Sequence, residues 1–118
     1  MSQTRLTVSE RTTPDGVRIL TPAGEIDYNT ADTLQQALTA HDDPDGCTVI
    51  DFHGVTFMDS SGINALVAAN NAARAGNGWL RLAHTPTPIV EVLHIVGLDD
   101  VLPLYATLED ALAPQSTA

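Results

Sequence analysis

Residues 47–62 read Cys47-Thr48-Val49-Ile50-Asp51-Phe52-His53-Gly54-Val55-Thr56-Phe57-Met58-Asp59-Ser60-Ser61-Gly62, and the order of residue types in this stretch decides the fold class. Residues 47–52 form a short run rich in apolar and β-branched side chains, which predicts a buried strand. A short loop leads on to Phe57-Met58. From Ser60 to Ala75 the spacing turns helical. Ile63, Leu66 and Val67 form the heavier apolar stripe of an alanine-dominated surface suited to close packing on a sheet. Gly76 and Gly78 stop this helix.

The same alternation extends in both directions. Upstream, residues 6–11 and 17–23 are strand candidates, joined by the turn Thr13-Pro14-Asp15-Gly16 into a hairpin. After Gly24, Ala31, Leu34, Ala37 and Leu38 share one helical face. Asn29 is the expected N-cap of that helix, with Asp32 beside its positive end. Asp42-Asp43-Pro44-Asp45-Gly46 breaks the chain. Downstream, Trp79–Ala83 predicts a strand, and Thr87-Pro88 opens a helix whose core stripe is Ile89, Val92, Leu93 and Val96. Gly97 ends that helix. Residues 101–105 predict a last strand, and Thr107-Leu108-Glu109-Asp110 begins a short final helix with a near capping-box pattern.

The predicted order is β-β-α-β-α-β-α-β-α. Strands that alternate with helices imply an α/β domain with a mixed, mostly parallel sheet, about four helices and an N-terminal hairpin. The 118 residues fit one domain, expected over residues 6–113 with flexible ends at 1–5 and 114–118. The expected state is a monomer.

Fifteen acidic residues against five basic ones give a formal charge of −10. Nucleic acid and anionic membranes would be repelled, because binding to either rests on Lys and Arg. The acidity suits fast encounter with a basic protein patch, or it simply maintains solubility. A single cysteine, Cys47, excludes an internal disulfide and predicts a buried inert thiol. The N-terminal residues have no apolar signal core, and no stretch holds 18 consecutive apolar residues, so a cytoplasmic location is expected.

Most catalytic patterns are missing. His41, His53, His84 and His94 show no paired metal spacing, so no metal ligands, cofactor or catalytic residues are assigned. There is no phosphate loop with Lys-Ser/Thr and no Gly-x-Ser-x-Gly elbow. Ser60 would act as a nucleophile only with a base close by, and the sequence places no histidine there; the chain is not expected to be an enzyme. What stands out is the junction at Asp59-Ser60-Ser61-Gly62, between a buried strand and a helix. Unpartnered amides face outward at such a helix start, and a side-chain oxygen of Asp59 or Ser60 would cap them. The same geometry suits a phosphoserine, since free amides and the helix dipole tolerate an anion of about −1.5 to −2 charges.

Residues 49–62, centred on Asp-Ser-Ser-Gly, together with Gly24-Glu25-Ile26-Asp27 followed by Thr30-Ala31, resemble the STAS domain of stand-alone bacterial anti-sigma factor antagonists, over about residues 6–113. The resemblance implies a partner switch. The unphosphorylated form would bind an anti-sigma factor, a serine kinase of the GHKL type, and so free a sigma factor. Phosphorylation of Ser60 would abolish binding, and a PP2C-type phosphatase would restore it. Asp27, Asp59, Ser61 and Gly62 become the implied partner contacts. The chain departs from the family at Gly62-Ile63-Asn64, where Gly-Leu-Gly is common. The alternative within the same fold is an adaptor subunit of a transport or sensory complex that is never phosphorylated.

Overall fold

Strand β2 (Arg18–Ile26) organises the sheet, and Pro22 divides its pairing. A computed structural model describes residues 6–39 and 46–113. On one side, β1 (Leu6–Thr12) runs antiparallel to β2, from Leu6 opposite Gly24 to Thr12 opposite Arg18. The turn between them closes with the Gly16 amide on the Thr13 carbonyl at 2.9 Å, and Gly16 takes the positive φ of 89° that such a turn requires. On its other side β2 serves two parallel partners in succession. β3 (Cys47–Asp51) pairs along residues 18–20, and β4 (Gly54–Met58) pairs along residues 23–26. Pro22 lacks an amide hydrogen and stands between the two ladders, where its missing donor breaks neither. A Cβ at Gly54 would stand 3.1 Å from that of Ala23, so glycine lets β4 begin close against β2.

β5 (Trp79–Ala83) pairs parallel with β3, and β6 (Leu104–Tyr105) with β5, giving the sheet path β1-β2-β3-β5-β6 with β4 beside β2. Four helices accompany it among the described residues: α1 (Ala31–Thr39), α2 (Ser60–Ala75), α3 (Thr87–Ile95) and α4 (Leu108–Leu112). Leu34 and Leu38 of α1, Ile63 and Leu66 of α2, and Ile89 and Leu93 of α3 join Leu20, Ile50, Phe52 and Leu82 in the main core. Burial of each such side chain contributes about 1.5–3 kcal/mol. Val49, Ala83 and Ala111 form a smaller core under α4.

Two of the chain's five basic residues close helix ends from within the sheet. Arg18 donates to the carbonyls of Ala37 and Leu38 at 2.6 and 2.8 Å. Burial pushes its pKa down, against the raising effect of Glu10 at 3.7 Å. Arg81 donates to the carbonyl of Ala111 at 2.9 Å and stacks 3.7 Å over the Trp79 ring.

The α/β class, the hairpin and the four helices agree with the sequence reading. Several details differ. The stretch read as a loop before Phe57 is a sixth strand, β4, because β2 offers it an open ladder, and a register shift between Gly24 and Glu25 lets both Val55 and Met58 turn inward. The last strand spans only Leu104–Tyr105; a 3₁₀ turn at Leu98–Asp100 and its continuation occupy Val101. Val92 and Val96 lie exposed rather than in the α3 core stripe, since Ile89 and Leu93 alone face the sheet. Helix α1 starts at Ala31, so Asn29 is not its cap; the Asn29 amide donates to Asp27 Oδ1 at 2.9 Å instead. Cys47 is half-buried, at the strand's first position. The ends 1–5 and 114–118, and the breaker at residues 42–45, lie outside the described residues.

Candidate functional site

The parallel strands all deliver their C-terminal ends to one edge of the sheet, the edge where α/β proteins carry functional loops. β2 and β4 end there side by side, with Glu25 opposite Phe57 and Ile26 opposite Met58. Gly24 has φ of 118° at a register shift in this ladder, a conformation that favours glycine. The two loops that follow, 27–30 and 59–60, therefore emerge as neighbours.

In the first loop, Asp27 is half-buried and holds the turn into α1. Its Oδ1 accepts from the Asn29 amide, and its own amide donates to Thr30 Oγ1 at 2.8 Å. The buried Thr30 hydroxyl donates in turn to the Glu25 carbonyl at 2.7 Å. In the second loop, Asp59 is the N-cap of α2. Its Oδ1 accepts from the Ser61 amide at 2.8 Å, and its carbonyl receives the Gly62 and Ile63 amides at 3.0 and 3.3 Å.

Of the two residues left open as the cap, Asp59 is the one that serves. Ser60 stands at the first helical position and is exposed. Of the free amides and helix dipole expected to tolerate an anion on Ser60, it is the dipole that is left to do so at this helix start. Asp59 already takes the amides of residues 61–63, so a phosphate on Ser60 would meet the positive helix end and would stand out into solvent beside a carboxylate. Ser61 is half-buried. Gly62 is buried, and a Cβ there would fall 2.5 Å from Met58 Cγ and 2.8 Å from Ile26 Cγ2. Its lack of a side chain seats the helix start on the ends of β2 and β4.

The structure thus brings Asp27, Asp59, Ser60 and Ser61 to one region, with Gly62 beneath it. It also reveals apolar neighbours that the sequence reading missed as site residues. Tyr28, 85% exposed, follows Asp27, and Phe57, 49% exposed, precedes the cap by two residues. Asn64 and Val67 continue the exposed row from Ser60 along α2, so Val67, read as part of the apolar stripe, faces solvent while Ile63 and Leu66 face the core. Local pattern carries no signal for it: strict alternation would turn Phe57 inward with Val55, and the register shift opposite Gly24 and Glu25 breaks that alternation and leaves the ring exposed.

Histidines serve elsewhere. His53 and His84 both contact Asp51 Oδ1, and His94 contacts Asp99 at 2.8 Å. Burial pushes the Asp51 carboxyl up, but hydrogen bonds from the His53 ring and amide and from His84 together outweigh it and hold the group below its usual range. Spacing along the chain hides this Asp51–His53–His84 cluster, because residues 54–83 separate the two histidines and only strand pairing joins them.

The site thus gathers two acidic residues and two exposed aromatics near a serine at a helix start. The sequence and fold assign the chain to a family. A STAS domain family model matches residues 9–111, and the chain belongs to that family. It is 35% identical over 103 residues to the anti-sigma-F factor antagonist RsfB of Mycobacterium tuberculosis, covering 83% of this chain and 80% of the relative. The crystal structure of an anti-sigma factor antagonist from Mycobacterium paratuberculosis is similar with a TM-score of 0.79 and 34% identity, over 91% of either chain. The phosphorylated form of SpoIIAA from Bacillus shares the fold, with a TM-score of 0.70 and 18% identity over 90% of this chain and 96% of that one. No helix among the described residues is long and apolar enough to cross a membrane.

Proposed function

We propose that this domain is an anti-sigma factor antagonist whose docking face surrounds Ser60 and whose binding is gated by phosphorylation of that hydroxyl. The observation that carries the reading is the position of Ser60: exposed at the first turn of α2, while Asp59 supplies the cap. A kinase can reach this hydroxyl, and modifying it removes no helix cap. The names of the relatives, antagonists of anti-sigma factors, support the class of partner. A relative of the same fold has been described in phosphorylated form.

In the resting form, Tyr28 and Phe57 supply apolar anchors, and Asp27 and Asp59 supply charge complementary to a basic patch on the anti-sigma factor. A rigid aromatic that is exposed before binding is the type of residue that dominates interface energetics. Phosphate on Ser60 would add a dianion beside the Asp59 carboxylate in the middle of that face. Desolvating it costs binding energy, and each 1.4 kcal/mol weakens affinity about tenfold. The anti-sigma factor is itself the expected kinase, of the GHKL type, and a PP2C-type phosphatase would reverse the step.

The test combines two measurements with an anti-sigma factor kinase from the same cell. Mass spectrometry after incubation with ATP should place one phosphate on Ser60. Calorimetry should give equal binding for wild type and Ser60→Ala, and binding weaker by tenfold or more for the phosphorylated protein. Equal affinity before and after phosphorylation removes the gate. Absence of phosphate at Ser60 favours an adaptor of the same fold.

A further inference from the structure

We propose that Asp51, His53 and His84 form a binding site for a divalent transition metal of the zinc class, separate from the Ser60 face. The three residues meet where β3 and β5 end. Asp51 pairs with Ala83 in the parallel ladder, His84 follows Ala83 directly, and His53 lies two residues beyond Asp51 at the joint between β3 and β4. This is the carboxyl end of the sheet, at the notch left where β5 stops while β4 continues along β2 for roughly another 17 Å.

One donor atom from each residue lies within 4.8 Å of the other two. His53 Nδ1 is 2.9 Å and His84 Nδ1 is 3.1 Å from the same Asp51 Oδ1. Ligands about 2.0–2.1 Å from a tetrahedral zinc ion stand roughly 3.3 Å apart. Small side-chain rotations, with no change of backbone, would open the cluster around an ion. The two rings stand at 86° with centroids 6.0 Å apart, so they converge on one point without stacking on each other.

The surroundings fix this convergence. Asp51 is buried and also accepts the His53 amide at 3.1 Å, which orients the carboxylate as a partner of a metal ligand would. His84 alone among the described non-glycine residues has a positive φ, 54°. That left-handed conformation is uncommon for a residue with a side chain and costs free energy. The His84 amide, donating to the Tyr105 carbonyl at 3.2 Å, holds it, and the ring reaches Asp51 across the strand ends. Strained residues of this sort cluster at ligand sites.

Two imidazoles and one carboxylate suit zinc, cobalt, nickel or copper, and not calcium or magnesium, which take oxygen donors. The side chains of His53 and His84 are 62% and 38% exposed, which gives an ion a path in and leaves room for water or a partner's side chain as a further ligand. A bound ion would clamp the β3–β4 joint to the loop between β5 and α3.

The test uses untagged full-length protein, so that no foreign histidine competes. Zinc is titrated by calorimetry, and cobalt by its visible absorption, against wild type, His53→Ala, His84→Asn and the double variant. Asparagine tolerates the left-handed backbone, and His53 is exposed, so both single variants should fold, as circular dichroism in chelator verifies. We expect one zinc per chain, a melting temperature that rises with zinc concentration, and a loss of tenfold or more in affinity for each single variant. His94→Ala should bind as wild type does. Equal zinc affinity in the double variant and the wild type would overturn the site, as would the lack of saturable binding at millimolar zinc.

Discussion

The amide of Asp59 donates to the carbonyl of Ile26 at 3.1 Å, joining the residue that caps α2 to the last residue of β2. This bond sets the start of the loop carrying Asp27 and Tyr28 beside the helix start carrying Ser60. The β2–β4 ladder, with Ile26 opposite Met58, ties the same two segments together just before this bond.

The cap itself gives the first prediction. Asp59→Ala removes the acceptor of the Ser61 amide and the negative group at the helix's positive end, and should cost about 1 kcal/mol in urea unfolding. Asp59→Asn keeps the acceptor and should recover most of it. If Asp59→Ala were as stable as wild type, the cap would contribute nothing to the fold.

Gly62 should tolerate no side chain. A methyl group there meets Met58 and Ile26 at once, both buried in the main core. Gly62→Ala should therefore destabilise the domain by roughly 1–3 kcal/mol despite alanine's better helix propensity. Combining it with Met58→Ala relieves one of the two clashes, so the double variant should be more stable than the sum of the single changes predicts. Thermal melts of the four proteins measure this, and strict additivity would refute the contact.

The docking face predicts a separation of binding from folding. Tyr28 buries little of itself, so Tyr28→Ala should leave stability within about 0.5 kcal/mol of wild type. The same change should weaken binding to the anti-sigma factor by tenfold or more, in the manner of an aromatic anchor. Unchanged affinity would move the interface away from the end of β2.

Much of this architecture is legible in the residues themselves. The apolar run at Val49–Ile50, the alanine-rich helix after Asp59 and the turn at Pro14-Asp15-Gly16 each follow from local pattern, and together they fix the class. Features that depend on pairing between distant segments are not legible. Residues 54–58 alternate too briefly to declare a strand, and only β2 makes them one. The meeting of His53 with His84 needs the ladder between β3 and β5. Val92 and Val96 match a helical stripe, yet α3 presents only Ile89 and Leu93 to the sheet, a choice set by tertiary packing. At the Ser60 site the residue types are visible, whereas the division of labour between Asp59 and Ser60 is set by the backbone where β4 enters α2.

A pH-dependent contribution is expected at the end of α3. His94 Nδ1 lies 2.8 Å from Asp99 Oδ2, and the hydrogen bond and charge of Asp99 raise the imidazole pKa above its ordinary 6.5. A group with a raised folded-state pKa stabilises the fold fully below its unfolded value, and that contribution is lost as pH rises through the folded value. Proton NMR should place the His94 midpoint above 6.5, and Asp99→Asn should bring it down. Identical titration curves in the two proteins would show that the pair does not form in solution.

Arg81 makes the strongest prediction about stability. It is buried in β5, stacks over Trp79, and donates to the carbonyls of Ala111 at 2.9 Å and Ala113 at 3.3 Å, the last turn of α4 and the residue that follows it. A helix of five residues cannot hold itself together, and α4 rests on a small core in which only Val49, Ala83 and Ala111 are fully buried while Leu108 and Leu112 are partly so. Losing the charge-assisted bond to the buried Ala111 carbonyl costs roughly 1.5–3 kcal/mol, and the cation–π contact adds to this. Arg81→Met keeps the apolar volume but leaves the buried Ala111 carbonyl without this donor, so it should destabilise by about 2–3 kcal/mol. Arg81→Lys retains the charge but loses the planar fork, and should recover only part of that. Hydrogen exchange should localise the loss, with the amides of α4 unprotected in Arg81→Met while those of α2 keep their protection relative to the new global stability. Should α4 stay as protected as in the wild type, the arginine would not be what anchors it.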